Sequence, residues 1–447
     1  MPSDKTTPKS EGISLDVRAL ISLTILTVCL AAVLAAWGLA PQRADTVGVD
    51  LGTTYSVVAY KHPISKKIIV IPTRPVSLPL SSSLQSSFSK SSQSSTSHLL
   101  TPSIVSYSND KQSSSSSNNN IVRAVGRDAL PFLHTHSQNT IYNAKRLIGR
   151  TYKEVRLDKS LSSMPHQFGP VNETQGDDSL AGFIMSDATT TISPVDVASR
   201  VVGALVKAAD LFLGHSNARK AVIAVPAQFN TAQREATALA FAKAGIKVIN
   251  MLEEPTAAAV AYGLQNQPHI HNVLVYDFGG GTLDVSLLWM HTGSVQVIGT
   301  DGDSNLGGSD FDKCMVELLV EHLDQCEISK VRKIAEETKR ILSYETSTVA
   351  SCGDDIHLSS LQKTTVTRDL FEHKCKVLFD RSLIPIERLL VDQNILKTEI
   401  DEIVLVGGTT RIPKVKEMLT TFFNGKSPKD DIDPDLAVAY GCSMFSA

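Results

Sequence analysis

Three familiar signatures are missing from this sequence. No G-x-x-x-x-G-K-[ST] run occurs, and no G-x-G-x-x-G opens a helix after a strand, so neither a Walker-type phosphate loop nor a dinucleotide fingerprint is present. The six cysteines form no C-x-x-C pair, which removes the common metal-binding and dithiol redox motifs. Positive charge is not in excess either: 43 Lys and Arg against 46 Asp and Glu leave a net charge of −3, which argues against nucleic acid as a partner.

What is present suits a large α/β protein. With 447 residues, 42% apolar and 20% charged, the chain has material for two sizeable lobes. The stretch V-Y-D-F-G-G-G-T-L-D-V, Val275 to Val285, places an apolar β-branched strand before Asp277 and a second strand after Asp284, with three glycines and Thr282 between them. Bare glycine backbone permits positive φ and lets phosphate oxygens approach the amides. A second copy lies near the start, V-G-V-D-L-G-T-T-Y-S-V-V-A-Y from Val47 to Tyr60, about 230 residues earlier. Two such hairpins predict two similar lobes, each offering one aspartate and one Gly/Thr turn to the same ligand. A nucleotide polyphosphate with magnesium suits them best. Amides and threonine hydroxyls donate to phosphate, while carboxylates hold the water shell of a cation that dehydrates reluctantly.

The N-terminus carries a second signal. Residues 19–40 are 22 residues without a charge, long enough to cross a bilayer as a helix. Lys5, Lys9 and Arg18 precede the segment and only Arg43 follows closely, so the positive-inside tendency puts residues 1–18 in the cytosol and the remainder across the membrane. An uncleaved signal anchor is favoured over a cleaved signal peptide, because Pro41 would sit just after the best cleavage site. The sequon Asn172-Glu173-Thr174 is compatible with glycosylation in a lumenal compartment. Cys29 lies in the apolar segment, so at least one of Cys314, Cys326, Cys352, Cys375 and Cys442 is unpaired, and a structural disulfide among the rest is left open.

Two low-complexity tracts interrupt the first lobe: residues 77–97, where twelve of 21 are serine, and residues 113–120, all Ser and Asn. Neither can bury a core, and both are expected as solvated loops, with Thr101 to Tyr107 between them returning as a strand. Further along, Ala221 to Pro226 reads as a strand and Asn230 caps a helix from Thr231 to Ala244. Pro255 stands at the first turn of another helix, Thr256 to Leu264. Ile403 to Val406 reads as a buried strand that Gly407-Gly408-Thr409-Thr410-Arg411-Ile412-Pro413 turns into the helix Lys414 to Phe422.

These stretches resemble the ATPase domain of the heat-shock-seventy chaperone family, whose fold is the two-lobed, actin-like (ribonuclease H-like) α/β ATPase. V-D-L-G-T-T-Y-S, V-Y-D-F-G-G-G-T-L-D-V-S and I-V-L-V-G-G-T-T-R-I-P-K-V carry the resemblance, with N-A-K-R-L-I-G-R, E-E-P-T-A-A-A-V-A-Y-G-L and D-P-D-L-A-V-A-Y-G beside them. It runs from about Val47 to the C-terminus and implies lobe I at about 47–265 plus 432–447, and lobe II at about 266–431.

By that resemblance, Asp50 and Asp277 hold the Mg²⁺ water shell, and Gly52, Thr53, Thr54, Tyr55, Gly279, Gly280, Gly281 and Thr282 surround the phosphates. Lys145 reaches the γ-phosphate, Glu254 stands near metal and water, and Asp284 lines the same centre. Glu336, Lys339, Arg340 and Ser343 face the nucleoside from one helix side, with Gly407, Gly408, Thr409, Arg411 and Asp435 as the opposite wall. ATP or ADP, Mg²⁺ and K⁺ are the implied ligands, and a co-chaperone or exchange factor is the implied kind of partner.

There are departures. The sequence ends at Ala447, where the family continues into a linker and a peptide-binding domain, so peptide clamping is not expected from it. The stretches 312–331 and 344–365 look shorter than the family's, which bears on exchange-factor control more than on hydrolysis. An ATPase core with an apolar N-terminal segment is similar to the microsomal branch of the family. The expectation is a slow ATPase of the endoplasmic reticulum, with a non-hydrolysing, nucleotide-dependent binding module as the alternative.

Overall fold

The computed structural model describes residues 23–31, 44–73, 98–108, 121–162, 164–291, 293–353 and 362–446. Both serine-rich tracts and most of the apolar stretch 19–40 lie outside these residues. Residues 23–31 are helical with exposed side chains, and among the described residues no helix is long and apolar enough to cross a membrane.

The second compact unit, residues 44–62 and 66–447, carries the rest. The elements that place the site are β1 (Thr46–Leu51), β2 (Tyr55–Lys61), β3 (Ile68–Val70), β4 (Thr101–Pro102), α1 (Pro194–Leu213), β5 (Lys220–Val225), α2 (Thr231–Lys243), β6 (Lys247–Glu253) and α3 (Glu254–Ala261). They are followed by β7 (Asn272–Phe278), β8 (Leu283–His291), β9 (Ser294–Asp303), α4 (Gly308–Val320), α5 (Ile328–Leu342), α6 (Lys376–Asp392), β10 (Glu402–Val406), α7 (Pro413–Phe422) and α8 (Ala437–Met444).

Two sheets repeat one local plan. In the first, ordered β6-β5-β1-β2-β3 with β4 also on β2, strand β1 runs parallel to β5 and antiparallel to its hairpin partner β2. In the second, ordered β9-β8-β7-β10, strand β7 runs parallel to β10 and antiparallel to β8. Asp50 therefore sits beside Ala224 as Asp277 sits beside Val406. The central strands are buried on both faces, which is why they read as continuous apolar runs rather than alternating ones. In β7, Leu274, Tyr276 and Phe278 enter one core cluster while Val273 and Val275 enter another. In β5, Ala221 and Ile223 face α1 and α2 while Val222 and Ala224 face α3 and α8.

Helix α8 reaches back to the first sheet because two small residues let backbones touch. A Cβ on Gly441 would stand 1.8 Å from the carbonyl of Ala257, and one on Gly48 would stand 2.3 Å from Ser443. The second core holds Phe278, Phe311, Phe371 and Phe379 in tilted and edge contacts, with the Phe311 and Phe379 centroids 4.8 Å apart. Two disulfides resolve the open question about the cysteines: Cys314 pairs with Cys375 and Cys326 with Cys352, leaving Cys29 exposed and Cys442 buried as free thiols. The second bridge ties together the two stretches, 312–331 and 344–365, that the sequence marks as short.

Candidate functional site

The two hairpin turns face each other across a cavity of about 140 Å³, lined by Asp50, Gly52, Thr53, Thr54, Tyr55, Lys145, Glu254, Asp277, Gly279, Gly280, Gly281, Thr282, Asp284 and Gly407. Their approach is close: a Cβ on Gly280 would lie 2.9 Å from Thr54 Oγ1. The first turn is anchored by Ser103, whose hydroxyl donates to the Gly52 carbonyl at 2.7 Å and sits 2.9 Å from Ser56 Oγ. In the second turn all three glycine carbonyls are held from outside. Gly308 N–H and Thr409 Oγ1 donate to Gly279 at 3.1 and 2.8 Å, Ser309 N–H to Gly280 at 2.8 Å, and Arg146 Nη2 to Gly281 at 2.9 Å. Planar peptides pinned at every carbonyl cannot rotate, so the turn is rigid before any ligand arrives.

At the floor, Lys145 Nζ donates to Glu254 Oε1 in an ion pair whose side chains are 11% and 17% exposed. Glu254 owes its place to α3, where Pro255 in the first turn starts the helix without a lost hydrogen bond. Asp277 and Asp284 are direct cross-strand partners in the β7–β8 hairpin, which explains their seven-residue spacing. One lysine thus faces four carboxyl groups. Burial, with Glu254 and Asp435 adding to it against Lys145, pushes Asp50 up to about 7. Burial and then Glu254 push Asp284 to about 6, and burial with Glu254, Asp284 and Asp50 raises Asp277 well above the usual carboxylate range. Lys145 is raised: burial disfavours its charge, but Glu254 and Asp50 outweigh that.

A surplus of carboxyl groups held short of full ionisation is chemistry that a divalent cation would complete. Among the described residues no cluster of three or more His, Cys, Asp and Glu side chains is arranged to hold a metal directly. Asp50 and Asp277, each at the end of a strand beside a glycine turn, fit a cation that shares its charge with phosphate.

A second cavity of about 410 Å³ adjoins the first through Thr54, Tyr55 and Gly280. Glu336, Lys339, Arg340 and Ser343 line it from α5, and Gly408, Thr409, Arg411 and Asp435 from the turn after β10 and the segment before α8. Gly407 itself has φ +82, and a Cβ there would stand 2.5 Å from the Phe278 carbonyl, so only glycine fits this crossing. The cations on these walls are already engaged. Lys339 binds Asp312 at 2.6 Å and the Gly308 carbonyl at 2.9 Å; Arg411 binds Asp433, and Asp435 at 2.8 Å. Burial disfavours the Arg411 charge, but Asp435 and Asp433 more than offset it and raise its pKa. Walls with neutralised charges suit an uncharged nucleoside better than phosphate. Arg340 and Glu336 are more loosely placed, 3.9 Å apart and over half exposed.

Every residue singled out from the sequence for ATP lies on one of the two cavities. Asn172 is elsewhere, exposed, its side chain accepting from Thr174 N–H at 3.1 Å and Oγ1 at 2.6 Å. Sequence reading did not single out Arg146, which crosses from the Lys145 segment to Gly281 and to Ser304 at 3.0 Å. Its position beside Lys145 in N-A-K-R was the available signal. Arg127, Asp312 and Tyr344 also line the larger cavity, and nothing in their local sequence marks them.

Two sheets with the same plan, each giving an aspartate and a glycine turn to one cleft, make a duplicated α/β architecture around a cavity whose donors suit a polyphosphate. Residues 90–447 match the family model described as Hsp70 protein, well over half of the chain. The chain belongs to the Hsp70 family. The ATPase domain of that family is a two-lobed, actin-like fold, with which the mixed α/β sheets here are consistent. Membership makes this, in general terms, a nucleotide-binding, chaperone-like ATPase core; such domains bind ATP or ADP with Mg²⁺ and typically work with co-chaperones. The match begins after the first glycine turn, so Asp50 to Tyr55 stand on their geometry.

Proposed function

We propose that this chain is an ATP-binding, slowly ATP-hydrolysing core of the microsomal type, acting in the endoplasmic reticulum and passing its nucleotide state to a partner protein. The observation that carries this is the convergence of Asp50, Asp277, the Lys145–Glu254 pair and both glycine turns on one cavity next to a nucleoside-sized one. Lobe I is assigned to about 47–265 and 432–447, lobe II to about 266–431, with nucleotide between them.

Phosphates lie against Gly52, Thr53, Thr54, Gly279, Gly280, Gly281 and Thr282, and the nucleoside lies between α5 and the Gly407-Gly408 turn. Lys145 moves part of its charge from Glu254 to the terminal phosphate, where developing negative charge needs it. Released from that pairing, Glu254 orients the attacking water, and Asp277 and Asp50 would hold a hydrated Mg²⁺, whose charge would offset that of the phosphate oxygens. Positioning supplies most of the rate.

Single-turnover hydrolysis of ATP by the wild type and by Lys145→Ala tests the reading. Both are expected to bind MgATP, with hydrolysis present in the wild type and lower by a hundredfold or more in the variant, the scale of losing one charge-stabilising donor. Turnover no faster than background in the wild type would leave a non-hydrolysing binding module instead.

The compartment rests on other observations. Two disulfides suit an oxidising lumen, Asn172 is exposed for a glycan, and residues 19–40 serve as signal anchor or cleaved signal. Glycan occupancy at Asn172 and protease protection in intact microsomes are expected; a protein digested without detergent would refute the lumenal assignment.

A further inference from the structure

The sheet that carries Asp50 has two ends. At one, β1 and β2 meet in the glycine turn of the cleft; at the other, the strand termini carry lysine. Lys247, the first residue of β6, pairs with Lys220, the first of β5, and Lys220 pairs with Thr46, the first of β1. Lys61, the last residue of β2, lies two positions past the Gly48–Ala59 pair and so stands beside Thr46. On its other side it pairs with Ile68 of β3, which Lys66 and Lys67 precede. At about 4.8 Å between strands the row spans roughly 19 Å. Lys66, Lys67 and Lys247 are exposed and form no ion pair among the described residues. Lys61 Nζ donates to the Met444 carbonyl at 3.3 Å, and Lys220 binds Asp45 at 2.7 Å.

The second sheet has the same plan without the lysines. Its matching termini are Asn272 of β7, His291 of β8, Ser294 of β9 and Glu402 of β10. Asp401, just before β10, accepts from the His271 and Asn272 amides at 2.8 and 2.9 Å. A basic end is therefore no requirement of the fold. What sets the first sheet apart is that β1 is the strand that follows the apolar stretch 19–40. Residues 41–45 span no more than about 18 Å when fully extended, and the headgroup layer of a bilayer takes up about 5–7 Å of that. The remaining gap, about 11–13 Å, is comparable with the ~8 Å Debye length at physiological salt, so charges on this end sense an anionic leaflet. Two exposed apolar side chains flank the lysines. Leu211 stands in the last turn of α1, where its neighbour Asp210 binds Arg219 just before β5, and Phe445 directly follows Met444 at the end of α8. Helices α1 and α8 cover opposite faces of β5, so the basic row has an apolar contact on each side.

We propose that this end of the first sheet is a membrane-docking surface: Lys61, Lys66, Lys67, Lys220 and Lys247 rest on anionic phospholipid headgroups, with Leu211 and Phe445 at the interface. The inference rests on the signal-anchor form of the proposed function. Docked in this way, the domain holds its nucleotide cleft away from the bilayer, because the glycine turn lies at the opposite end of β1 and β2.

The test uses the full chain with Cys29→Ser as background, reconstituted into vesicles of phosphatidylcholine alone or with about one part in four of phosphatidylserine. Phe445→Cys carries a fluorophore, and the quencher is a lipid spin-labelled on its headgroup. Quenching is expected in the phosphatidylserine vesicles, is expected to fade as salt is added, and is expected to be absent from a probe at exposed Val349→Cys, outside the first sheet. At about fivefold for each lysine near an anionic leaflet, Lys66→Gln, Lys67→Gln and Lys247→Gln together should shift the docked-to-free ratio roughly a hundredfold and abolish the quenching. Quenching that is equal in both vesicle types, or unchanged in the triple variant, would overturn the proposal. Flotation with phosphatidylcholine vesicles after carbonate washing reads the anchor separately. A chain that floats there but is not quenched on phosphatidylserine overturns the docking surface alone, whereas a chain stripped by carbonate overturns the anchor and the docking surface together.

Discussion

Replacing Lys145 by methionine keeps most of the side-chain volume and removes only the charge, which isolates the electrostatics of the site floor. Its partner Glu254 is 17% exposed and is surrounded by Asp50, Asp277 and Asp284. Breaking a buried pair on one side typically costs about 3–5 kcal/mol. Part of the loss is offset where the site takes up protons, and Asp50 and Asp284, near 7 and 6, do so more fully at pH 5.5 than at pH 7. At roughly 2–4 °C per kcal/mol for domains of 150–250 residues, and less for a larger one, the nucleotide-free variant should melt up to about 6–20 °C lower at pH 7, and by less at pH 5.5. In the wild type, Lys145 is raised above its ordinary value and stays charged throughout this window, so the pH dependence of the difference belongs to the carboxyls. Thermal unfolding at both pH values, without nucleotide, measures it. A difference that is absent, or the same at pH 5.5 and 7, would refute the reasoning.

Other outcomes follow from the same geometry. Asp50 and Asp284 titrate above an unfolded aspartate, so they stabilise the nucleotide-free fold at low pH and that contribution is lost as pH rises through about 6 and 7; melting should fall from pH 5 to 7.5, and saturating MgADP should flatten the slope. For the same reason MgADP should bind more tightly at pH 8 than at pH 6, by up to about tenfold per pH unit for each proton released, with Asp50→Asn reducing the dependence in a calorimetric titration. Gly441→Val drives a Cβ into the Ala257 carbonyl and should cost about 1–3 kcal/mol or more, lowering the melting temperature and nucleotide retention together by displacing α3. Peptide mapping without reductant should recover Cys314 linked to Cys375 and Cys326 linked to Cys352. For the 61-residue separation of the first, loop entropy sets the loss in a Cys314→Ala, Cys375→Ala variant at about 4 kcal/mol, read by denaturant unfolding.

Local elements were the most readable. The hairpins around Asp50 and Asp277, the Asn230-capped helix, and the strand and turn at 403–412 lie within a residue or two of their expected bounds, because each is specified by residues close in sequence. Two readings shifted. The strand expected over Thr101 to Tyr107 is two strands, Thr101–Pro102 on the first sheet and Val105–Ser108 on another, with Ser103 between them bonded to Gly52. That break depends on a partner about fifty residues away. The helix expected over Thr256 to Leu264 runs from Glu254 to Ala261, and Gly263 at φ +68 separates it from a short 3-10 turn.

The sequence alone determined that two aspartate–glycine turns exist and that their chemistry suits phosphate, since short-range alternation, β-branching and glycine content dictate such turns wherever they occur. It also limited the cysteines to at least one free thiol in the folded region without saying which would pair. Only the tertiary structure decided that both turns share one cavity, that Arg146 pins Gly281, that Cys442 is the thiol left over, and that Lys145 rests on Glu254. The disulfides that leave Cys442 over join residues 61 and 26 positions apart, and the other contacts join residues more than a hundred apart, where the close packing of α8 on α3 and of β7 on β10 fixes the geometry and local preference has no influence.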